Sequence, residues 1–255
     1  MSRGDRVNRR DLVVGIGGGV VITGAKKVVW ERFWSPQNQF ARQSFSQQGE
    51  DIVLYHALHE TLKIERPTYL DVGAAHPVQS NNTYLLYLTG GHGVLVEPNP
   101  MFAKMLRDWR PKDIVVQAGI GLTDTMEADY YEIKENPLLN TFSPETVRNL
   151  QKGKTESVLE RVVKMPLVNI NRVIAEELGS APDLLSTDVE GLDEPILKAL
   201  DLQRFRPGVI CAEGVSIYEN GNRSDLAKYL AGEGYIQRGG SMVNSIFVDG
   251  KRIHE

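Results

Sequence analysis

Four short apolar runs along the chain end in an acid and then in small or turn-forming residues. They are Tyr69-Leu70-Asp71-Val72-Gly73, Gly93-Val94-Leu95-Val96-Glu97-Pro98, Leu184-Leu185-Ser186-Thr187-Asp188 and Val209-Ile210-Cys211-Ala212-Glu213-Gly214. Uninterrupted apolar runs of this length, bounded by turn signals, predict strands buried on both faces, as in a parallel sheet. A fifth run, Asp113 to Gly121, predicts one further strand. Helical periodicity occupies the intervals: Ile52 to Leu62, Ser80 to Thr89 with Asn81 or Asn82 as its cap, Met101 to Arg110 stopped by Pro111, Arg172 to Leu178 ended by Gly179, and Ser224 to Ala231. Tyr130 to Ile133 predicts an added strand, Asn136 to Ser157 a polar loop and helix, and the segments around Tyr235 and Ser245 to Val248 a hairpin-like pair. Strands alternating with helices predict an open, doubly wound α/β sheet.

In such a sheet ligands bind outside the carboxyl ends of the strands, where these acids stand. Gly73 can take φ > 0, and Ala74 and Ala75 keep the turn low, so a ligand can lie against the main chain with Asp71 pointing into the crevice. Glu97 ends the next strand and can accept both hydroxyls of a ribose. A dinucleotide needs G-x-G-x-x-G to seat its pyrophosphate, whereas this turn continues Ala74-Ala75-His76-Pro77. A nucleoside without phosphate, S-adenosylmethionine, fits better, and an NAD-dependent oxidoreductase is the rival. Strand alternation sends Asp188 and Glu190 to one side, as a base for an acceptor hydroxyl, a divalent-ion pair or structural acids. Glu213 is a further carboxylate on that rim. His76 is a turn histidine, read as structural or as an acid/base residue. Glu50, in a first helical turn, either complements the helix dipole or belongs to a lid over the cofactor.

Ser46-Gln47-Gln48-Gly49-Glu50-Asp51, Asp71-Val72-Gly73-Ala74-Ala75-His76-Pro77, Ser80-Asn81-Asn82-Thr83-Tyr84, Glu97-Pro98-Asn99-Pro100 and Asp188-Val189-Glu190-Gly191 together resemble the FkbM family of S-adenosylmethionine-dependent methyltransferases. The resemblance covers roughly residues 44 to 249. It implies a class I methyltransferase (Rossmann-like) fold, with a mostly parallel seven-stranded sheet and an antiparallel C-terminal hairpin. It implies cofactor contacts at Glu50, Asp71, Gly73, Glu97, Asn99, Gln117 and Ala118, and catalytic roles at Asp188, Glu190, His76 and Glu213. A divalent metal is compatible with the acid pair but is not expected. The implied reaction is O-methylation of a sugar, glycan or secondary metabolite, with residues 136 to 157 covering the acceptor. Leu192-Asp193 replaces the His-Glu common after the glycine in the family, which removes a candidate base and raises the alternative of a non-catalytic S-adenosylmethionine-binding protein.

The composition, 255 residues with 41% hydrophobic and 24% charged, suits one large α/β domain. A net charge of −4 gives no electrostatic reason to expect nucleic acid. The single cysteine, Cys211, lies in an apolar run and reads as a core thiol. Residues 1–30 differ from the rest: arginines precede a glycine-rich apolar run, Leu12 to Ala25, in a pattern like a signal or a membrane anchor, and Asn8-Arg9-Arg10-Asp11-Leu12 resembles a twin-arginine signal. Residues 31–43 read as a linker to a methyltransferase domain at 44–255. Because the methyl donor is made in the cytoplasm, a cytoplasmic enzyme, with membrane association through residues 12–30, is favoured over an exported one.

Overall fold

The computed structural model describes residues 41–122, 126–189, 191–213 and 225–253, and Ser44–Glu255 form one compact unit. The leader, residues 31–40 of the linker, and Glu190 lie outside the described residues. Among the described residues no helix is long and apolar enough to cross a membrane.

The strands are β1 (Thr68–Val72), β2 (His92–Val96), β3 (Ile114–Val116), β4 (Gly119–Gly121), β5 (Glu127–Ile133), β6 (Leu159–Asn169), β7 (Leu184–Thr187), β8 (Val209–Glu213), β9 (Tyr235–Gly240) and β10 (Asn244–Asp249). Seven form the main sheet, in the order β3-β2-β1-β7-β8-β10-β9. β1 pairs in parallel with β2 and β7, and β10 runs antiparallel to both β8 and β9. The strand order reverses between β1 and β7, the switch point at which an open sheet leaves a crevice. The open, mostly parallel seven-stranded sheet with an antiparallel C-terminal hairpin is the expected architecture.

Period-two alternation explains why both faces are dry. Leu70, Val72, Val94, Leu185, Ile210 and Phe247 face one side, under Ile170, Ile196 and Leu230 of the covering helices. Tyr69, Leu95, Leu184, Cys211 and Ile246 face the other, under Leu54, Leu58, Leu86 and Leu106. Cys211 is fully buried, a core thiol as its surroundings predict.

Several elements differ from the sequence expectation. The predicted strand Asp113 to Gly121 is two: β3 continues the main sheet, and β4 turns away to pair with β6 in a second sheet of order β4-β6-β5. Packing explains the departure, because a Cβ at Gly119 would stand 2.5 Å from the Phe142 ring, so the chain bends where that ring packs on bare backbone. The helix after β1 is short, Tyr84–Leu88, and Thr83 rather than an asparagine holds its N-cap position. Asn81 instead orders the preceding turn, accepting from the Thr83 N–H at 3.0 Å. The helices Glu50–Tyr55 and Ile170–Val173 each continue as a π-helical turn, the second closed by Gly179 at φ 72°.

Candidate active site

A cavity of about 260 Å³ opens at the carboxyl ends of β1, β2, β7 and β8. Gly73, Glu97, Asp188 and Glu213 reach it from those four strand ends. Ala118, Ile120 and Phe102 give it apolar lining, and the segment Asn136 to Phe142, with Tyr130, lines it as well.

Glu97 is the best-defined group here. Its side chain is buried, Oε2 accepts from the Ala75 N–H at 2.8 Å and Oε1 from the Asn99 N–H at 2.7 Å. Burial outweighs these donors and pushes its pKa up to about 7, with a smaller contribution from the nearby Asp71 charge. Among the described residues each oxygen accepts one hydrogen bond where a carboxylate oxygen can accept two, so the group is oriented yet keeps capacity for two more donors. The turn that orients it is strained: Ala75 has φ +48°, which costs a residue with a Cβ about 1–2 kcal/mol.

The same turn spends its other backbone donors locally. Gly73 N–H and Ala74 N–H both bond to the Val96 carbonyl, at 2.9 and 3.3 Å. No run of free N–H groups is left there to cradle a pyrophosphate, as a dinucleotide would require.

Residues 71–236, well over half of the chain, match the Methyltransferase FkbM domain. The chain belongs to the FkbM methyltransferase family. It is similar in fold to an FkbM methyltransferase from Methylobacillus flagellatus KT at 13% identity and TM-score 0.43, covering 80% of this chain and 56% of that one. It is also similar to a Burkholderia thailandensis 1,6-didemethyltoxoflavin-N1-methyltransferase that holds S-adenosylhomocysteine, at 9% identity and TM-score 0.42, covering 92% and 93% of the two chains. A TehB-like S-adenosylmethionine-dependent methyltransferase from Corynebacterium glutamicum gives 11% identity and TM-score 0.39, covering 88% and 95%. No curated protein sequence matches.

Of the residues that the sequence nominates in this FkbM domain, Gly73, Glu97, Ala118, Asp188 and Glu213 come together at the cavity. Glu190 lies outside the described residues. The other five do not line it. Asp71 sits on the strand face it shares with Tyr69, accepts from the Thr83 hydroxyl at 2.6 Å, and is buried away from the crevice. Asn99 caps the helix Pro100–Trp109 by accepting from the Met101 N–H, so it serves the site only through its own N–H on Glu97. Gln117 is exposed beside Arg107, because the tight turn after β3 throws its side chain outward while Ala118 turns in. Glu50 is buried against Ser241 and the Gln48 N–H, where those donors hold its pKa below the usual glutamate value despite burial. It staples the chain to the β9–β10 turn, and its neighbour Gln47 is the one that reaches the cavity. His76 Nδ1 accepts from the Val78 and Gln79 N–H groups at 3.2 and 2.9 Å, which makes it a turn-former. Burial lowers its pKa, and protonating Nδ1 would break both bonds.

Sequence reasoning missed Asp193 as a buried acid, although Leu192-Asp193 stood out as a departure from the family pattern. Leu192 lines the cavity, while Asp193 is 3% exposed and, among the described residues, neither of its oxygens has a partner within strict hydrogen-bond geometry. Burial pushes its pKa up to about 6, the nearby Thr187 hydroxyl and the Val189 and Asp193 amides oppose the rise, and the Glu213 charge adds to it. The folded chain therefore holds this proton to higher pH than the unfolded one, and stability falls as pH rises from about 3.8 to about 6. Asp193→Asn removes that titration. Its stability relative to the parent chain is expected to improve by about 3 kcal/mol between pH 3.5 and pH 7. Thermal melts at both pH values check this, and a difference independent of pH would mean that the carboxylate finds a partner.

Proposed function

We propose that this chain is an S-adenosylmethionine-dependent methyltransferase acting on a hydroxyl of a sugar, a glycan or a small metabolite. The observation that carries the reading is the Glu97 carboxylate, buried at the cavity and oriented by two backbone N–H donors with accepting capacity to spare. A ribose diol supplies the two donors that such a group lacks. Charge supports the same ligand: among the described lining residues are three carboxylates, Glu97, Asp188 and Glu213, and no lysine, arginine or histidine. That lining suits a sulfonium and an ammonium and opposes the phosphates of NAD.

When bound, S-adenosylmethionine supplies an electrophilic methyl group on a sulfonium. Glu97 would hold its ribose, and Phe102, Ala118 and Ile120 offer an apolar wall for its adenine. Asp188 and Glu213, at the ends of β7 and β8, would receive the proton that an acceptor hydroxyl must lose on methylation. Tyr130, Leu139 and Phe142 give the acceptor an aromatic and aliphatic wall. Most of the rate would come from holding donor and acceptor in line within this enclosure.

Calorimetric titration of the full chain with S-adenosylmethionine and, separately, NAD tests the cofactor, with binding of the first alone expected. Mass spectrometry across a panel of hydroxylated acceptors then tests transfer. A preference for NAD would sink the reading. Donor binding without a methylated product across the panel would support a non-catalytic binding protein.

A further inference from the structure

Among the described residues Arg110 is the largest fully buried side chain, and nothing in the proposed chemistry uses it. It ends the helix Pro100–Trp109 just before Pro111, a position that normally sends an arginine to solvent. Here its guanidinium donates to four partners, which come from three segments: Tyr69 on β1, Asn81 and Thr83 in the turn before the next helix, and Asp113 before β3. Nε bonds Asp113 Oδ2 at 2.7 Å, Nη1 bonds Asn81 Oδ1 at 3.0 Å, and Nη2 bonds the Tyr69 and Thr83 hydroxyls, each at 3.0 Å. Thr83 in turn donates to Asp71, and Tyr69 to Asp113. Buried arginines are normally balanced by buried acids, and this one has Asp113 in direct contact and Asp71 one hydroxyl away.

The contact with Asn81 leads to the cavity. Asn81 uses its carbonyl oxygen on Arg110 and its amide nitrogen on the backbone of the turn, donating to the carbonyls of Ala74 at 3.0 Å and His76 at 3.2 Å. Those two carbonyls bracket Ala75, the residue held at φ +48° whose N–H orients Glu97. Peptides in the left-handed region persist when their surroundings over-determine them, and Asn81 grips this one on both sides.

We infer that Arg110 is a positioning residue of the cofactor site: through Asn81 it clamps the strained peptide at Ala75 and so fixes the Glu97 carboxylate, with Asp71 and Asp113 as its buried counter-charges. The inference rests on the proposed reading of Glu97 as the ribose acid. It also gives the first acid of the strand-turn motif a different task from the one its sequence suggests. Asp71 supports the arm that holds the turn, from the Tyr69 face of β1.

Arg110→Lys keeps a charge beside Asp113 but lacks the planar fork that reaches Asn81 and Thr83 together. Asn81→Ala removes the clamp and leaves the charges in place. Arg206→Lys is the control, since Arg206 makes a comparable two-pronged pair with Asp249, at 2.9 and 2.8 Å, against a strand of the C-terminal hairpin. The full-length variants are titrated with S-adenosylhomocysteine at a temperature where circular dichroism shows each to be folded. Arg110→Lys and Asn81→Ala are expected to weaken binding by about ten-fold, and Arg206→Lys to leave it unchanged. Added to Glu97→Gln, neither is expected to cause a further loss, because the group they position is gone. Affinity unchanged despite a lowered melting temperature, or a full additional loss in the Glu97→Gln background, overturns the inference. If Arg110→Lys fails to fold, Asn81→Ala decides alone. A parent chain that binds no S-adenosylhomocysteine is a separate result: it overturns the cofactor reading, and this inference with it.

Discussion

Glu97→Gln is expected to weaken binding of S-adenosylmethionine by about 100-fold. Glutamine is nearly isosteric with glutamate, but both carboxylate oxygens already accept a backbone N–H, one from Ala75 and one from Asn99. An amide must turn its NH₂ toward one of those donors, so a buried N–H is left facing another N–H. An unmet buried donor costs about 1–3 kcal/mol, and the charged hydrogen bonds to a ribose diol are lost as well. Together these effects amount to roughly 3 kcal/mol, or two orders of magnitude in affinity. Calorimetric titration measures it directly, and wild-type affinity in the variant would remove Glu97 from the site.

The pH dependence follows from the same carboxyl. Its pKa in the free chain is about 7, and a diol donates only to the ionised form well, so binding lowers the pKa and releases a proton below pH 7. Affinity for 5′-methylthioadenosine, which carries the ribose and adenine without an ammonium or carboxylate, should rise with pH up to about 7 and then level off. In Glu97→Gln the rise should vanish. The free chain behaves in the opposite sense: it holds the proton longer than the unfolded chain does, so the contribution of Glu97 to stability falls as pH rises from about 4.5 to about 7.

Gly73→Ala is expected to lose at least about 3 kcal/mol of stability and the cofactor site with it. Gly73 has φ +81°, which by itself costs an alanine about 1–2 kcal/mol. A Cβ there would also stand 2.0 Å from the Asp188 carbonyl oxygen, a backbone atom that cannot rotate aside. Relief requires opening the junction between β1 and β7, where Asp188 N–H bonds the Val72 carbonyl at 3.0 Å. Gly153→Ala separates the two causes, because Gly153 has a similar φ of +74° and nothing within 4 Å of the added atom. Melting temperatures should fall by roughly 6–12 °C for Gly73→Ala and about one to two thirds as much for Gly153→Ala. Equal losses would show that the contact with Asp188 yields cheaply.

The role of Gly73 also shows how a motif can be read correctly for an incomplete reason. Its positive φ and its place beside the cavity were legible in the sequence. The surface that excludes a side chain, however, is the carbonyl of a residue more than a hundred positions later, and no local pattern carries that information.

The sequence by itself determined the parallel sheet, the two buried faces and the strand ends where ligands gather, because short apolar runs closed by acids and turn residues have few other ways to bury themselves. Its motif blocks also determined the family. Only the tertiary structure decided which acids serve the cavity. Asp71 and Glu97 look alike as strand-ending acids, but Asp71 lies inside β1, where alternation commits it to the Tyr69 face, while Glu97 lies one residue beyond β2 and is free to turn inward. Arg110 could not be read at all from its surroundings in the chain. It is buried because Tyr69, Asn81, Thr83 and Asp113 converge on one point from three segments, and that convergence exists only once the sheet and its covering helices have closed around it.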